Sequence, residues 1–219
     1  MKSIVVLVSG YGSNLQAIIN VSNLKTSKFK VAAVLSDKAS CYALERAKKA
    51  NITDIFINPE YLNSKKSFDK ELIYQVDKFK PALIVLAGYM RILSGFFVRH
   101  YFGRIINIHP SLLPKYPGLN TFQRVINSGE KEHGTTIHFV TEKIDSGPII
   151  FQEKVPVFKD DTIQILSERV KTQENKIYPI VITWFIEGRL KMQFGKAFMD
   201  GKQLYINNSH LKLIKNVRY

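Results

Sequence analysis

Residues 3–14 read SIVVLVSGYGSN, and this stretch decides the fold class. Its first six residues form an apolar run of strand length that is rich in valine. Two glycines, Ser13 and Asn14 follow, and the apolar residues after them recur at helical spacing over residues 14–24. A strand that leads through a glycine-rich turn into a helix is the opening unit of a parallel α/β sheet.

The rest of the first half repeats this alternation. Further strands are predicted at residues 30–35, 54–57 and 82–87, and helices at 42–50 and 66–79. The run 82–87 is apolar throughout, as expected for a central strand that is buried on both faces. We therefore predict an α/β fold, with a doubly wound, mostly parallel sheet flanked by helices and a Rossmann-type N-terminal half.

The second half is predicted to contain shorter strands around a loop rich in proline and glycine. Those strands lie at residues 104–108, 135–140 and 149–157, the last of them with a break, and a helix lies at 119–127.

A long final helix is predicted to begin at Asp161 as N-cap, with Gln164 completing a capping box, and to end at Gly188. Glu174 falls in the apolar stripe of this helix, so its carboxylate must be paired or must face a polar cavity.

The composition is that of an ordinary globular protein. Of the 219 residues, 45% are hydrophobic and 23% are charged, which excludes a disordered chain. The single cysteine, Cys41, excludes an internal disulfide and a thiolate metal site, and it fits a cytoplasmic location. The longest apolar runs are far shorter than the ~18 residues that a membrane span requires.

The net charge of +14 leaves three explanations open: a nucleic acid partner, an anionic small substrate, or a solvated lysine-rich surface. The basic residues are scattered in ones and twos. The chain from Arg189 onward holds seven basic residues and one acid, so it supplies +6 of the total.

The glycine-rich turn is the first candidate site. The helix after it offers unpaired N–H groups and a partial positive charge, while Gly12, Ser13 and Asn14 allow close backbone approach and add polar donors. These features suit a phosphate group. The spacing matches neither a dinucleotide fingerprint nor a Walker loop, and an ordinary capped turn is the alternative.

Asn107 and His109 form the second candidate site. They stand two residues apart at a predicted strand end and therefore share a face. An amide donor beside a titratable imidazole suits a reaction that forms an oxyanion, although a histidine that caps a loop is the alternative. Asp145 would support an imidazolium if it lay near His109; an Asx-turn with local hydrogen bonds is its alternative.

The remaining histidines carry less information. His138 falls inside a strand pattern and is expected in the core or at a sheet edge, whereas His100, His133 and His210 are expected at the surface. No pair has zinc-site spacing with a third ligand, and no nucleophile elbow is visible. We therefore predict no metal and no covalent intermediate.

Several segments at fixed spacing resemble one known family. Besides residues 6–19, they are LAGYMRIL (86–93), NIHPSLLPKYPG (107–118), HGTT (133–136), DSGP (145–148) and KTQE (171–174). In this order they resemble the phosphoribosylglycinamide formyltransferase family, the folate-dependent enzymes of purine synthesis.

The resemblance implies a role for each segment. The ribonucleotide site would consist of Gly12, Ser13 and Asn14, which bind the phosphate of glycinamide ribonucleotide, and Glu174, which binds its ribose hydroxyls. The catalytic set would be Asn107, His109 and Asp145. The co-substrate 10-formyltetrahydrofolate would bind in a pocket lined by Met90, Arg91, Ile92, Leu93, Thr141, Glu142, Lys143 and Ile144, with Lys65 at its tail.

The implied reaction is attack of the glycyl amine on the formyl carbon. Asn107 and protonated His109 would stabilise the oxyanion of the tetrahedral intermediate, and Asp145 would support the imidazolium. No nucleic acid and no membrane is expected as a partner. The chain is expected to be a monomer or a homodimer.

We expect a single formyltransferase domain over residues 1–192, with a phosphate-binding half at 1–100 and a catalytic and folate half at 101–192. A short basic tail at 193–219 has no assigned role. Three residues depart from the family pattern: Tyr11, which could crowd the phosphate loop, Lys65, which replaces an arginine, and Phe122, which replaces a more polar residue.

Two other classes of function stay open. The first class consists of related enzymes with the same core. Methionyl-tRNA formyltransferase adds a basic C-terminal domain to it, and formyltetrahydrofolate hydrolase usually adds an N-terminal regulatory domain. The roughly 30 residues after the last helix are too few for the former, and this chain starts directly at the first strand. The second class is a non-catalytic protein that binds nucleotides or nucleic acids through its basic surface.

Overall fold

A computed structural model describes residues 1–62 and 64–205 of the chain. The strands of its main sheet are β1 (Lys2–Val8), β2 (Phe29–Ser36), β3 (Thr53–Phe56), β4 (Leu83–Leu86), β5 (Ile105–His109), β6 (Glu132–Phe139) and β7 (Ile149–Pro156). Their order is β3-β2-β1-β4-β5-β6-β7. The pairs from β3 to β5 are parallel, whereas β5·β6 and β6·β7 are antiparallel. The predicted α/β class with a mostly parallel sheet is confirmed.

The helices follow the predicted alternation. They are α1 (Ser13–Ser22), α2 (Tyr42–Lys49), α3 (Lys65–Asp77), α4 (Gly95–His100), α5 (Thr121–Asn127) and α6 (Ile163–Ile186), and a 3-10 turn lies at Pro59–Tyr61. Only α4 lacked a prediction, because six residues are too few to establish a helical period. Its N-cap, Ser94, accepts a hydrogen bond from Phe97 N.

The sheet is covered on both faces because its central strands alternate between two cores. Ile4, Val6 and Val8 of β1 pack with α1, α2 and α6, whereas Val5 and Leu7 pack with α3 and α4. All five side chains are fully buried. This two-sided burial is what makes the strand sequence continuously apolar.

Two details of the second half differ from the sequence prediction. The expected break in 149–157 is a register shift, in which Ile137 pairs with Phe151 and His138 with Ile149, so that β7 remains one strand with a bulge. Asp161 is not the N-cap of α6. Thr162 takes that place and accepts from Ile165 N, because Asp161 instead forms a two-pronged ion pair with Arg169.

A small antiparallel sheet follows α6, formed by β8 (Leu190–Gln193), β9 (Lys196–Met199) and β10 (Lys202–Gln203). Leu190, Ala197 and Met199 are buried in the same core as α1 and α6. The expected domain boundary at residue 192 therefore falls inside β8. Residues 206–219, which include His210, lie outside the described residues. None of the helices in the described part combines the length and the apolar character that a membrane span requires.

Candidate functional site

The candidate residues gather at the carboxyl edge of the parallel sheet. The loops after β1 and β4 are joined there, since Ser9 N donates to Gly88 O at 3.1 Å and Met90 N donates to Ser9 Oγ at 2.9 Å. His109 is the last residue of the neighbouring strand β5. This edge is where open parallel sheets bind ligands.

The turn from β1 to α1 has the geometry of an anion-binding loop. Gly12 is the N-cap of α1 with φ near 80°, a left-handed conformation that favours glycine. A Cβ on Gly12 would lie 2.7 Å from the Cβ of Ala43, so no larger residue fits. Within the described chain, the N–H groups of Gly12, Ser13 and Asn14 meet no acceptor. Three unpaired donors at a helix start suit a phosphate.

Tyr11 does not crowd this loop. Its exposed ring stacks on Tyr42 of α2, with the ring centroids 5.1 Å apart. The side chain therefore extends along the protein surface, away from the buried end of β1.

Glu174 is buried and connects the loop after β1 with strands β5 and β6. Its carboxylate accepts from Asn14 Nδ2 at 2.9 Å and from Thr135 Oγ1 at 3.1 Å, and the same hydroxyl lies 3.0 Å from the carbonyl of His109. Burial raises the pKa of Glu174, although the two hydrogen bonds and nearby Lys171 oppose that rise. Of the two environments expected for an acid in the apolar stripe, a paired carboxylate or a polar cavity, the structure shows the paired carboxylate.

Asn107, His109 and Asp145 converge in space. The Nδ1 atom of His109 lies 3.5 Å from Asp145 Oδ2, and both side chains are almost fully buried. Asp145 adopts a left-handed φ of 49°, and its Oδ2 also accepts from Gly118 N at 2.8 Å. The carboxylate of Asp145 thus contacts both His109 and the loop after β5. These long-range contacts favour the interpretation that Asp145 supports His109 over that of an Asx-turn with local hydrogen bonds alone.

Both nitrogens of His109 face oxygen atoms. Besides the contact with Asp145, Nε2 lies 2.9 Å from the carbonyl of Tyr116, to which it must donate. Two acceptors on opposite sides accommodate the doubly protonated ring. A ligand atom can accept a hydrogen bond from Nε2 only if it displaces the carbonyl of Tyr116.

His138 is a member of the site that sequence reasoning placed only in the core or at a sheet edge. Its Nδ1 donates to the carbonyl of Phe139, so Nε2 carries the lone pair and accepts from Asn107 Nδ2 at 3.1 Å. Burial lowers the pKa of His138, which favours the neutral ring, although the carbonyl of Phe139 and the carboxylate of Asp145, 3.9 Å from Nε2, oppose that shift. The ring therefore fixes the amide orientation of Asn107, and among the described residues the second N–H of that amide meets no acceptor and can serve a ligand. The fact that Asn107 and His138 stand opposite each other on β5 and β6 could have identified His138 as a site residue. That pairing is known only once the register of the two strands is known.

The residues of the expected folate pocket lie in two neighbouring loops. One follows β4 and carries Met90, Arg91, Ile92 and Leu93, and the other follows β6 and carries Thr141, Glu142, Lys143 and Ile144. The loops are tied through α4, since Arg99 Nη1 lies 2.7 Å from Glu142 Oε1.

Three apolar side chains of these loops, Met90, Ile92 and Ile144, are more than half exposed. Lys65 is the exposed first residue of α3, and within the described chain its side chain forms no hydrogen bond or ion pair with these loops. Arg91 connects the loop after β4 with α3, because its guanidinium lies 4.1 Å from the ring centroid of Phe68.

One expectation about a histidine is corrected. His133 is not at the surface: it is 1% exposed, and burial lowers its pKa to about 4. Phe122 packs edge-on against His133, 5.4 Å between centroids, which explains why an apolar residue stands there. His100 is exposed as expected, 3.1 Å from Asp77.

Among residues 1–62 and 64–205, no group of three or more His, Cys, Asp and Glu side chains is placed to hold a metal ion.

Comparison with known proteins agrees with this architecture. A sequence profile of the family described as Formyl transferase matches residues 2–182. The chain belongs to this formyl transferase family. Among individual relatives, the phosphoribosylglycinamide formyltransferase of Escherichia coli (strain K12) is 52% identical over 92% of this chain and 95% of its own length.

Solved structures extend the likeness to three dimensions. The phosphoribosylglycinamide formyltransferase of Coxiella burnetii matches with a TM-score of 0.89 and 46% identity, over 94% of this chain and 96% of that one. Glycinamide ribonucleotide transformylase 1 of Symbiobacterium toebii matches with a TM-score of 0.88 and 41% identity, over 91% and 94% of the two chains. The resemblance inferred from the motifs is therefore confirmed.

Proposed function

We propose that this chain transfers the formyl group of 10-formyltetrahydrofolate to the glycyl amine of glycinamide ribonucleotide, a step of de novo purine synthesis. The observation that carries the proposal is the convergence of Asn107, His109 and Asp145 at one sheet edge, beside a loop of unpaired amides. The 52% identity to a phosphoribosylglycinamide formyltransferase over nearly the whole chain supports the same reaction.

The two substrates take the two sides of this edge. The phosphate binds the N–H groups of Gly12, Ser13 and Asn14, and Glu174 accepts hydrogen bonds from the ribose hydroxyls. The folate lies against the apolar side chains of the loops after β4 and β6, where Met90, Arg91, Ile92, Leu93, Thr141, Glu142, Lys143 and Ile144 form the pocket. Lys65 offers a cation to the acidic folate tail. Side-by-side binding converts a bimolecular reaction into a positioned one, which supplies much of the rate.

The chemistry forms one carbon–nitrogen bond and breaks another. The glycyl amine attacks the formyl carbon, and the carbonyl oxygen becomes an oxyanion that accepts hydrogen bonds from the free N–H of Asn107 and from protonated His109. Asp145 stabilises the imidazolium through the 3.5 Å contact. Collapse of the intermediate expels the folate nitrogen, while the proton released by the amine passes to that nitrogen. Loss of one such donor typically costs about 10²–10³ in turnover.

Several broader features complete the proposal. The catalytic and binding residues all lie within residues 1–192, with a phosphate half at 1–100 and a catalytic and folate half at 101–192, and the small sheet around residue 192 packs on the same core. The tail at 193–219 takes no part in the chemistry. A cytoplasmic location fits the buried, unpaired Cys41. The chain acts as a monomer or a homodimer without nucleic acid, and the reaction needs no metal.

The test is a transfer assay with 10-formyltetrahydrofolate and alternative acceptors. We expect turnover with glycinamide ribonucleotide, and none with water or with methionyl-tRNA as the acceptor. Hydrolysis of the folate without an acceptor, or transfer to the tRNA, would assign the chain to a related enzyme instead. Salt-sensitive binding of DNA or RNA without turnover would favour a non-catalytic protein.

A further inference from the structure

Two consecutive carbonyl groups of the glycine loop accept hydrogen bonds from residues of α2. Ala43 N donates to the carbonyl of Gly10 at 3.1 Å, and Cys41 Sγ lies 3.1 Å from the same oxygen. One residue further on, Arg46 Nε donates to the carbonyl of Tyr11 at 2.9 Å. The loop is thus attached to α2 through its backbone.

This attachment determines where the loop amides point. In a trans peptide, the N–H group points opposite to the C=O of the preceding residue. Because the carbonyls of Gly10 and Tyr11 face α2, the N–H groups of Tyr11 and Gly12 face away from it. Gly12 itself is pressed against α2, where even a Cβ would lie 3.0 Å from the Cα of Ala43. The loop therefore has no room to rotate these amides back towards α2.

Arg46 is itself held in place on several sides. Its guanidinium carbon lies 4.5 Å from the ring centroid of Tyr11 and 4.9 Å from that of Tyr42. Its Nη1 donates to Gln16 Oε1 of α1 at 3.0 Å. A planar guanidinium can stack on aromatic rings and donate in two directions at once, which a lysine ammonium does not reproduce. The aromatic Tyr11 thus serves to fix the arginine that fixes the loop.

We propose that Arg46 is a positioning residue for the phosphate of the ribonucleotide. It acts through the backbone: by holding the carbonyl of Tyr11, it aims the N–H of Gly12 and preorganises the loop before the phosphate arrives. This inference rests on the proposed function, since it assigns the phosphate to this loop. It adds a residue of α2 to a site whose ligating atoms lie in the loop and α1.

The test compares three variants on two acceptors. Arg46→Met removes the donors and keeps the apolar stem, and Arg46→Lys keeps the charge without the planar fork. Lys49→Met is the matched control, because Lys49 lies on the same helix and contacts the same Tyr42 ring at 5.6 Å. The acceptors are glycinamide ribonucleotide and the corresponding ribonucleoside, which lacks the phosphate. Thermal unfolding of each variant is measured alongside.

We expect Arg46→Met to lower kcat/KM for the ribonucleotide at least ten-fold, through KM. The kcat/KM for the ribonucleoside and the KM for the folate should change less than two-fold. Lys49→Met should have the kinetic constants of the parent chain. Arg46→Lys should recover only part of the loss. Equal losses with both acceptors, no loss, or full recovery with lysine would each overturn the inference. If the parent chain does not prefer the ribonucleotide to the ribonucleoside, the proposed phosphate site fails before any variant is compared.

Discussion

Replacing Glu174 by glutamine removes one buried negative charge and keeps the shape of the side chain. The glutamine Oε1 can still accept from Asn14 Nδ2, and its Nε2 can donate to Thr135 Oγ1, which then donates to the carbonyl of His109. The network therefore keeps its hydrogen bonds while losing the desolvated charge. We expect Glu174→Gln to raise the free energy of unfolding at pH 8 by about 1–3 kcal/mol, the range for a buried polar group without full compensation.

The stability gain should depend on pH with a definite sign. Burial raises the pKa of Glu174 above the value of 4.5 that the group has in the unfolded chain. The folded state then prefers the protonated acid, so the stability that Glu174 contributes is present below pH 4.5 and is lost as the pH rises through the folded pKa. The difference between parent and Glu174→Gln should be small at pH 4 and should widen towards pH 8.

The same substitution should weaken the binding of glycinamide ribonucleotide. A hydrogen bond to a charged acceptor contributes about 1.5–3 kcal/mol, so the Kd of glycinamide ribonucleotide should rise roughly 10- to 150-fold. Urea unfolding at the two pH values measures the first effect, and calorimetric titration measures the second. A less stable variant at pH 8, a difference that does not change with pH, or an unchanged Kd would refute the reasoning for Glu174.

Two further predictions concern the same sheet edge. Gly12→Ala should destabilise the fold by about 1–3 kcal/mol and raise the KM for the ribonucleotide, because it combines a left-handed φ with overlap on Ala43; Gly10→Ala, whose Cβ would meet nothing within 4 Å, should leave both unchanged. His138→Phe should lower kcat about ten-fold or more at unchanged KM, because Asn107 loses the acceptor that orients its amide; a KM effect alone, measured by steady-state kinetics, would contradict this role.

The fold was predictable from the sequence where one physical rule dominates. The run 82–87 is apolar throughout because β4 (Leu83–Leu86) is buried on both faces, and the first glycine turn had to lead into a helix. The N-cap of α6 was not predictable. Asp161 and Thr162 are both good caps. Which of them caps the helix depends on the ion pair that Asp161 forms with Arg169, two turns further along α6.

The site was predictable as a set of residues but not as a set of bonds. The motif spacing pointed to Asn107, His109 and Asp145. The bond of His138 to Asn107 follows from the pairing of β5 with β6, and the tautomer of His138 follows from its hydrogen bond to the carbonyl of Phe139. His133 was misplaced for a similar reason, since its polar neighbours in sequence give no sign of the edge-on contacts with Tyr116 and Phe122 that help to bury its ring.

The central claim is that the carboxylate of Asp145 supports the imidazolium of His109 during formyl transfer, and Asp145→Asn tests it most directly. The asparagine keeps an acceptor for Gly118 N and removes the charge. Asp77→Asn is the matched control, because Asp77 pairs with His100 in an exposed position away from the site. We predict that Asp145→Asn lowers kcat about 10²-fold or more while the Kd for the ribonucleotide and the thermal stability stay near the parent values. Full turnover in Asp145→Asn would contradict the account.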